Sequence, residues 1–189
     1  MASDTRARML AGATELVMHN GFNATSFKDV WEHTGTPRGS VYFHFPGGKE
    51  ELGLEIVQAA ARTLASMARR AGEQTRTPAT FLRCLARQFA ERLERSGFRE
   101  GCPLGAIALE MSEGSPALRA AADDAFAVWA EAIAGELERK GVARAAATRL
   151  ADNAVTVLEG ALLVGKTRGA RTPLDRAGDL LAAAVRSAS

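Results

Sequence analysis

The sequence has few cysteines, prolines and aromatic residues, and it has no long hydrophobic run. Its 189 residues include two cysteines and six prolines, and 6% of them are aromatic. Two cysteines are too few for a secreted disulfide scaffold, so we expect a protein of the reducing cytoplasm. No stretch reaches the ~18 apolar residues that a membrane span needs, and no apolar signal sequence follows the N-terminal arginines. We therefore expect no membrane partner.

A strong excess of either charge is also lacking. The chain has 24 Lys and Arg against 22 Asp and Glu, a formal net charge of +2. This balance permits a nucleic-acid partner without requiring one, so DNA binding must be argued from where the cations lie. The three histidines have no paired spacing. We therefore predict no metal site and no cofactor.

Apolar residues recur at helical spacing along the whole chain. No segment alternates with a period of two for long, which argues against a sheet. Thr77-Pro78 and Ser115-Pro116 each pair an N-cap residue with a proline at the first helical position. The pattern predicts an all-α fold of nine helices. The fourth helix is long, from about Lys49 to about residue 71, and we place a domain boundary in it.

The stretch from Ser26 to Lys49 has the features of two short helices joined by a tight turn. Ser26 is a good N-cap with Asp29 three residues later, which approximates a capping box. Gly35 can supply the positive φ that ends the first helix, and Pro37 fits the first turn of a second helix. The second helix directs an apolar pair inward, Val41 and Phe45. The stretch therefore predicts a helix-turn-helix.

The other side of this second helix offers side chains that can bind DNA. They are Thr36, Arg38, Ser40, Tyr42 and His44. The guanidinium group and the hydroxyls can reach base edges or phosphate, and the two rings are long enough to reach the backbone. Lys49 begins the next helix, where free N–H groups and the helix dipole favour a phosphate. The alternative is a small helical corner whose polar residues are simply solvated.

Residues 20–52, NGFNATSFKDVWEHTGTPRGSVYFHFPGGKEEL, resemble the TetR family of transcriptional regulators. The resemblance rests on a Gly-aromatic pair, a Gly-x-x-Tyr-x-His-Phe-Pro run, and a Lys-Glu pair that opens the next helix. The Pro-Gly-Gly-Lys spacing and a later Gly-Cys-Pro-Leu-Gly segment resemble the branch that contains the lincomycin-resistance repressor. Trp31 departs from the family, which often has a smaller residue there, so the packing of the two helices is expected to differ.

The resemblance implies a homodimeric, ligand-responsive repressor that binds double-stranded operator DNA. It implies a helix-turn-helix domain in residues 1–50 and a helical ligand-binding and dimerisation domain in residues 51–189. In the family, the position of Lys49 faces phosphate, and the positions that face DNA are those held here by Thr36, Pro37, Arg38, Ser40, Tyr42 and Phe43. The predicted DNA-binding set is Ser26, Lys28, Thr36, Pro37, Arg38, Ser40, Tyr42, Phe43, His44 and Lys49.

Large apolar and sulfur-containing side chains on the fourth to seventh helices can line a cavity for a small, largely apolar effector. The predicted effector-binding set is Met67, Phe89, Leu104, Ile107, Met111, Phe126 and Trp129. Glu110 and Asn153 are candidate polar anchors. For each residue taken alone, burial in an ordinary core is the better explanation.

The last two helices mix small and large apolar residues, which allows close helix approach. The family pairs these helices into a four-helix bundle, so we expect a dimer interface here. The predicted interface residues are Val157, Leu158, Ala161, Leu162, Leu181 and Ala184. Burial inside one subunit is the alternative.

Other interpretations of the chain stay open. Cys102 lies near a helix start, where a thiolate is stabilised, but structural burial is the stronger interpretation. An enzyme would need a nucleophile with a base, and the sequence offers no nucleophile elbow, phosphate loop or metal spacing. An architectural DNA-binding protein would differ from a ligand-responsive one by lacking an internal cavity.

Overall fold

The computed structural model describes residues 2–110 and 115–187, and every regular element in those ranges is an α-helix. The helices are α1 (Ala2–Asn20), α2 (Phe27–Thr34), α3 (Ser40–His44), α4 (Gly48–Glu73), α5 (Pro78–Arg95), α6 (Pro103–Glu110), α7 (Pro116–Arg139), α8 (Arg144–Arg168) and α9 (Thr172–Ser187). Within the described ranges, the prediction of an all-α fold with nine helices is confirmed.

The start and stop signals in the sequence act as predicted at two helices. Ser26 caps α2 by accepting a hydrogen bond from the Asp29 N–H, and the Asp29 side chain binds the Ser26 N–H in return. Gly35 ends α2 in the left-handed conformation with φ 63°, which glycine adopts without a steric penalty. Thr77 caps α5, and Pro78 occupies its first helical position. Capping hydrogen bonds and the backbone preferences of glycine and proline therefore set these helix ends.

The second helix of the pair is shorter than the sequence suggests. It begins at Ser40, not at Pro37, because residues 37–40 form a turn first. The Pro37 carbonyl accepts hydrogen bonds from the Ser40 N–H at 3.0 Å and from the Ser40 hydroxyl at 2.7 Å. Pro37, Arg38 and Gly39 therefore lie in the turn that leads into α3.

The chain divides into two compact units, and the division falls within α4 and α7. The first unit contains Met1–Ala60 and Cys102–Ala125, and the second contains Ala61–Gly101 and Phe126–Ser189. The sequence analysis places the domain boundary between residues 50 and 51, and that boundary stays a prediction.

The first unit buries one apolar cluster beneath the helix-turn-helix. The inward pair of α3, Val41 and Phe45, is fully buried, as predicted. The other buried members include Met9, Ala13, Val17, Phe22, Val30, Leu52, Ile56, Leu104, Ile107 and Leu118. Helix α1 packs on α2, α3 and α6. The short helices α2 and α3 are thus held by a larger helix, which compensates for their small individual stability.

The second unit has its own core, in which α5 packs on α8 and α9. Its buried side chains include Phe81, Leu85, Leu93, Trp129, Ile133, Leu137, Leu158, Leu162, Leu174 and Leu181. Gly178 lets α9 approach α5 closely, because a Cβ there would lie 3.0 Å from the Ala86 Cβ.

Candidate nucleic-acid interface

Helix α3 is fixed in place from its buried side. The Phe45 ring lies in the core, and the Arg6 guanidinium lies 5.0 Å from the centre of that ring. Arg6 also donates to a Glu55 carboxylate oxygen at 2.6 Å and to the His44 carbonyl at 3.4 Å. This arginine therefore ties α1, α3 and α4 together. The sequence analysis did not identify it, because its partners lie 38 and 49 residues away in the chain.

The opposite side of α3 exposes two aromatic rings to solvent. Tyr42 is 61% exposed and Phe43 is 76% exposed. The Tyr42 ring meets the half-buried Phe27 ring edge-on, with centroids 5.2 Å apart. Large exposed aromatic side chains on a well-anchored helix are typical of a surface that binds a partner.

Arg38 lies in the exposed turn before α3, and its guanidinium lies 5.7 Å from the centre of the Trp31 ring. This distance suits a cation–π contact. Trp31 is half-buried on α2, so its ring faces the turn from a fixed helix. The departure from the family pattern at position 31 thus changes the surroundings of Arg38.

Three residues of the predicted DNA-binding set have hydroxyls that bond within the protein. The Ser26 hydroxyl donates to the Asp29 carboxylate at 2.6 Å. Thr36 is 8% exposed, and its hydroxyl lies 2.9 Å from the Thr34 hydroxyl, which in turn donates to the Val30 carbonyl. The half-buried Ser40 hydroxyl donates to the Pro37 carbonyl. Thr36 is therefore the member of the set whose side chain is least accessible to DNA.

Lys49 is partly engaged inside the first unit. Its ammonium donates to the Asn23 carbonyl at 2.8 Å and lies 4.9 Å from the centre of the Phe22 ring. Burial lowers the pKa of Lys49, and the nearby carboxylates of Glu110 and Asp29 oppose that shift. One donor is used by Asn23, so the other N–H groups of the ammonium are left for a further acceptor.

The loop between α1 and α2 is held from two sides. Lys49 binds the Asn23 carbonyl, and the Asn23 N–H donates to the Glu110 carboxylate at the end of α6. Gly21 has φ 91°, and a Cβ there would overlap the same carboxylate. Glu110, predicted as a polar anchor for an effector, thus binds the loop that leads into α2. The other candidate anchor, Asn153, is exposed on α8.

The remaining members of the DNA-binding set lie at the surface. Ser26, Lys28 and Pro37 are exposed and His44 is half-buried. The Lys28 ammonium lies 3.8 Å from the Glu32 carboxylate one turn away, a surface pair that contributes little to stability. The structure therefore places Lys28, Pro37, Arg38, Tyr42 and Phe43 where a polyanion can reach them.

The predicted effector-binding residues are divided between the two units. Met67, Phe89, Phe126 and Trp129 belong to the second unit, Leu104 and Ile107 belong to the first, and Met111 lies outside the described residues. Except for the half-buried Phe126, those described are buried. In the second unit, the Phe89 and Trp129 rings lie 5.4 Å apart at 33°.

A groove of about 540 Å³ lies on the second unit, and Met67 is the one predicted effector residue among those that line it. The other lining residues are Thr63, Arg70, Gln88, Glu91, Arg92, Arg95, Ser96 and Glu100. This lining is polar, so the groove differs from the apolar cavity that the sequence predicts.

The predicted dimer residues fall into two groups. Leu158, Leu162 and Leu181 are buried within the single chain, whereas Val157, Ala161 and Ala184 are half-buried. Burial in the chain's own core leaves these three leucines little surface for a second chain, and the predicted interface stays a prediction. The exposed large apolar side chains on the same two helices are Leu163, Val164 and Leu180.

We also searched the described residues for metal sites, reactive cysteines and membrane-spanning helices. They contain no cluster of three or more His, Cys, Asp or Glu side chains that could hold a metal ion. Cys84 and Cys102 are both buried, and the structure shows no disulfide between them. None of the helices in residues 2–110 and 115–187 is long and apolar enough to span a bilayer.

The N-terminal and the C-terminal part of the chain each match a known protein family. Residues 9–56 match the family described as bacterial regulatory proteins, tetR family. Residues 78–180 match the transcriptional regulator LmrA/YxaF-like C-terminal domain. The HTH-type transcriptional regulator LmrA of Bacillus subtilis is 29% identical over 171 residues, which cover 90% of this chain and 91% of that protein.

Two further similarities extend over most of the chain. An uncharacterized HTH-type transcriptional regulator of Mycobacterium tuberculosis, Rv0196, is 34% identical over 175 residues, covering 90% of this chain and 88% of that protein. A solved structure of the regulator CifR, a cysteine mutant complexed with 26-base-pair operator DNA, has a TM-score of 0.77 at 21% identity. That match covers 93% of this chain and 94% of CifR, and it shows a shared fold.

Proposed function

The chain belongs to the TetR family of bacterial transcriptional regulators, and we propose that it represses transcription as a homodimer bound to double-stranded operator DNA. A small, largely apolar effector releases it from the operator. The named relatives are regulators, so we propose no catalytic role, and we propose the cytoplasm as the site of action.

The exposed face of α3 and the turn before it is the observation that supports DNA binding most strongly. Tyr42 and Phe43 stand out from a helix whose other side is fully buried, and Arg38 lies beside them in the turn. A helix-turn-helix protein presents its second helix to the major groove, where side chains reach base edges. Arginine binds guanine or phosphate, and aromatic side chains add contacts with the backbone and with thymine methyl groups.

The proposed dimer uses the outer surface of α8 and α9. Leu163 and Leu180 are 59% and 60% exposed, and Val164 is 39% exposed. The half-buried Val157, Ala161 and Ala184 extend the proposed interface with smaller side chains. A second copy that covers this surface removes the apolar groups from water. Two subunits also give two α3 helices, which match two half-sites at a fixed helical spacing.

Effector release is proposed to act through α4, one continuous helix with residues in both units. Met67 belongs to the predicted effector set, and Lys49 belongs to the predicted DNA-binding set. A ligand that binds better to the conformation without DNA shifts the protein towards that conformation. The effector then lowers the affinity for operator, and operator lowers the affinity for effector by the same factor.

A gel-shift assay with the DNA upstream of the chain's own gene tests this function. We expect the protein to retard that fragment and to leave a scrambled fragment of equal length unbound at the same concentration. Repeating the assay with a panel of small apolar compounds should identify one that releases the fragment. Equal retardation of both fragments would contradict sequence-specific repression, and release by none of the compounds would contradict the effector class.

A further inference from the structure

Glu110 places a carboxylate against the loop that joins α1 to α2. This last residue of α6 accepts a hydrogen bond from the backbone N–H of Asn23. Its carboxylate also lies beside Gly21, where an added Cβ would overlap it. The Lys49 ammonium donates to the Asn23 carbonyl at 2.8 Å, and the Glu110 and Lys49 charges attract each other. A backbone donor and an ammonium group, all within the first unit, thus lie around one carboxylate.

Asp29 is the other carboxylate near the Lys49 ammonium, but its oxygens are needed elsewhere. It accepts hydrogen bonds from the Ser26 N–H at 2.8 Å and from the Ser26 hydroxyl at 2.6 Å, in the capping box that begins α2. Glu110 comes from a position 87 residues away, and its partner Asn23 lies outside the helices. Glu110 is therefore the carboxylate that can leave without removing the cap of α2.

The same loop lies at the surface, next to predicted DNA-binding residues. Asn23 and Ala24 are exposed, and the exposed Ser26 and Lys28 follow them in the chain. Backbone N–H groups and lysine side chains are common donors to DNA phosphates. A carboxylate and a phosphate are both oxygen anions that accept charge-assisted hydrogen bonds from such donors. The donors that hold Glu110 are thus the kind that hold a phosphate.

We propose that the Asn23 N–H and the Lys49 ammonium form a phosphate site for bound DNA, and that Glu110 occupies this site in the free protein. This inference rests on the proposed function and adds an autoinhibitory contact to it. DNA displaces the carboxylate when its phosphate takes the two donors. Binding of DNA and release of the end of α6 therefore favour each other. Because a phosphate contact reads no sequence, the carboxylate weakens binding to every DNA.

Glu110→Gln tests the competition with DNA. The glutamine keeps an oxygen acceptor for the Asn23 N–H but loses the charge. We expect it to bind operator and a scrambled fragment about fivefold more tightly, because a neutral acceptor holds the donor less strongly than a carboxylate does. Fluorescence anisotropy measures both affinities. Unchanged or weaker binding by Glu110→Gln would overturn the proposal.

The Lys49→Met background separates this competition from a general effect of charge. Without the ammonium the phosphate site is incomplete, so the gain from Glu110→Gln should disappear there. Glu32→Gln is the matched control, because it removes an equal charge from the surface of α2, beside Lys28. Its effect should be the same with and without Lys49. A gain from Glu110→Gln that is equally large in both backgrounds would overturn the proposal.

Inorganic phosphate tests the site in the free protein. In 15N-labelled Glu110→Ala, we expect phosphate to shift the Asn23 amide resonance in a saturable way, and we expect no such shift in wild-type protein, where the carboxylate occupies the site. Glu110→Gln covers the case in which the alanine variant does not fold. It should move the Asn23 amide proton upfield, since its acceptor is neutral. Equal responses to phosphate in wild type and Glu110→Ala would overturn the proposal, as would an Asn23 resonance that Glu110→Gln leaves unmoved.

These measurements distinguish failure of the site from failure of the proposed function. Wild-type protein that binds operator and scrambled DNA equally would contradict repression at an operator, yet the gain from Glu110→Gln would still be expected on both fragments. Specific operator binding with neither that gain nor the response to phosphate would contradict the phosphate site and leave the proposed function in place.

Discussion

At the scale of single residues, the proposed DNA-binding surface depends on which groups contact its cations. Arg38 is exposed but lies against the Trp31 ring, and the Lys49 ammonium is bonded to the Asn23 carbonyl. A cation that is already oriented loses less conformational freedom when it binds DNA. Each of these two contacts therefore predicts how a substitution changes DNA binding, which could not be predicted from the residue type alone.

The Trp31 ring should orient Arg38 for binding. We expect Trp31→Leu to weaken operator binding by a few fold, because an exposed cation–π contact contributes about 0.5–1 kcal/mol. Trp31→Tyr retains a ring face and should keep most of the affinity. Fluorescence anisotropy with labelled operator measures both. If the leucine and tyrosine variants bind equally well, the ring does not orient the arginine.

Lys49 should contribute one phosphate contact. We expect Lys49→Met, which keeps the apolar stem over Phe22, to weaken binding to all sequences and to reduce the slope of log Kobs against log[salt] by about 0.9. Arg149→Met removes an equal charge from the surface of α8 and should leave the slope unchanged. An unchanged slope for Lys49→Met would mean that this ammonium serves the loop alone.

At the scale of elements, the loop before α2 is the least predictable part of the helix-turn-helix. The capping box and the left-handed Gly35 follow from neighbouring residues, so the sequence predicted both ends of α2. The contacts of Asn23 with Lys49 and Glu110 join residues 26 and 87 positions apart. Periodicity and capping rules contain no information about pairs so far apart in the chain. The sequence therefore could not predict that Lys49 and Glu110 hold this loop, and the structure was needed to show it.

Gly21 and Glu110 should be coupled energetically. We expect Gly21→Ala to destabilise the protein by about 1–3 kcal/mol through backbone strain, with an additional cost from overlap with the Glu110 carboxylate. Adding Glu110→Ala removes the overlap and should recover part of the loss. Denaturant unfolding of the single and double variants gives the coupling free energy.

Gly141→Ala is the matched control for that pair. Gly141 has φ 88°, close to the 91° of Gly21, but an added Cβ would meet no heavy atom within 4 Å. Its substitution should show strain alone, and Glu110→Ala should not relieve it. If the changes in unfolding free energy of the Gly21 and Glu110 variants simply add in the double variant, the two positions are not coupled and the prediction is wrong.

At the scale of the whole molecule, the apolar residues of α8 and α9 divide between core and surface. The sequence grouped Leu158, Leu162 and Leu181 into one interface, because helical spacing shows which residues share a face but not what covers that face. The structure shows these leucines buried within the chain and leaves Leu163 and Leu180 exposed. Fold class was predictable from periodicity, whereas this assignment depends on which helices pack together.

Substitutions on the two faces should therefore have different effects. We expect Leu163→Glu and Leu180→Glu to give folded monomers, because each places a charge on the proposed dimer surface. Leu158→Glu should unfold the protein, since it buries an unpaired charge at a cost of several kcal/mol. Light scattering measures the mass, and thermal melting measures the fold. A dimeric Leu163→Glu, Leu180→Glu double variant would contradict the proposed surface.

The central claim is that effector and operator bind to different conformations of one protein. Its most direct test is calorimetric titration of a compound that releases operator in the gel-shift assay, first into free protein and then into the protein–operator complex. We predict that operator weakens compound binding by the same factor by which the compound weakens operator binding. Equal affinities of the compound for free and operator-bound protein would contradict the account.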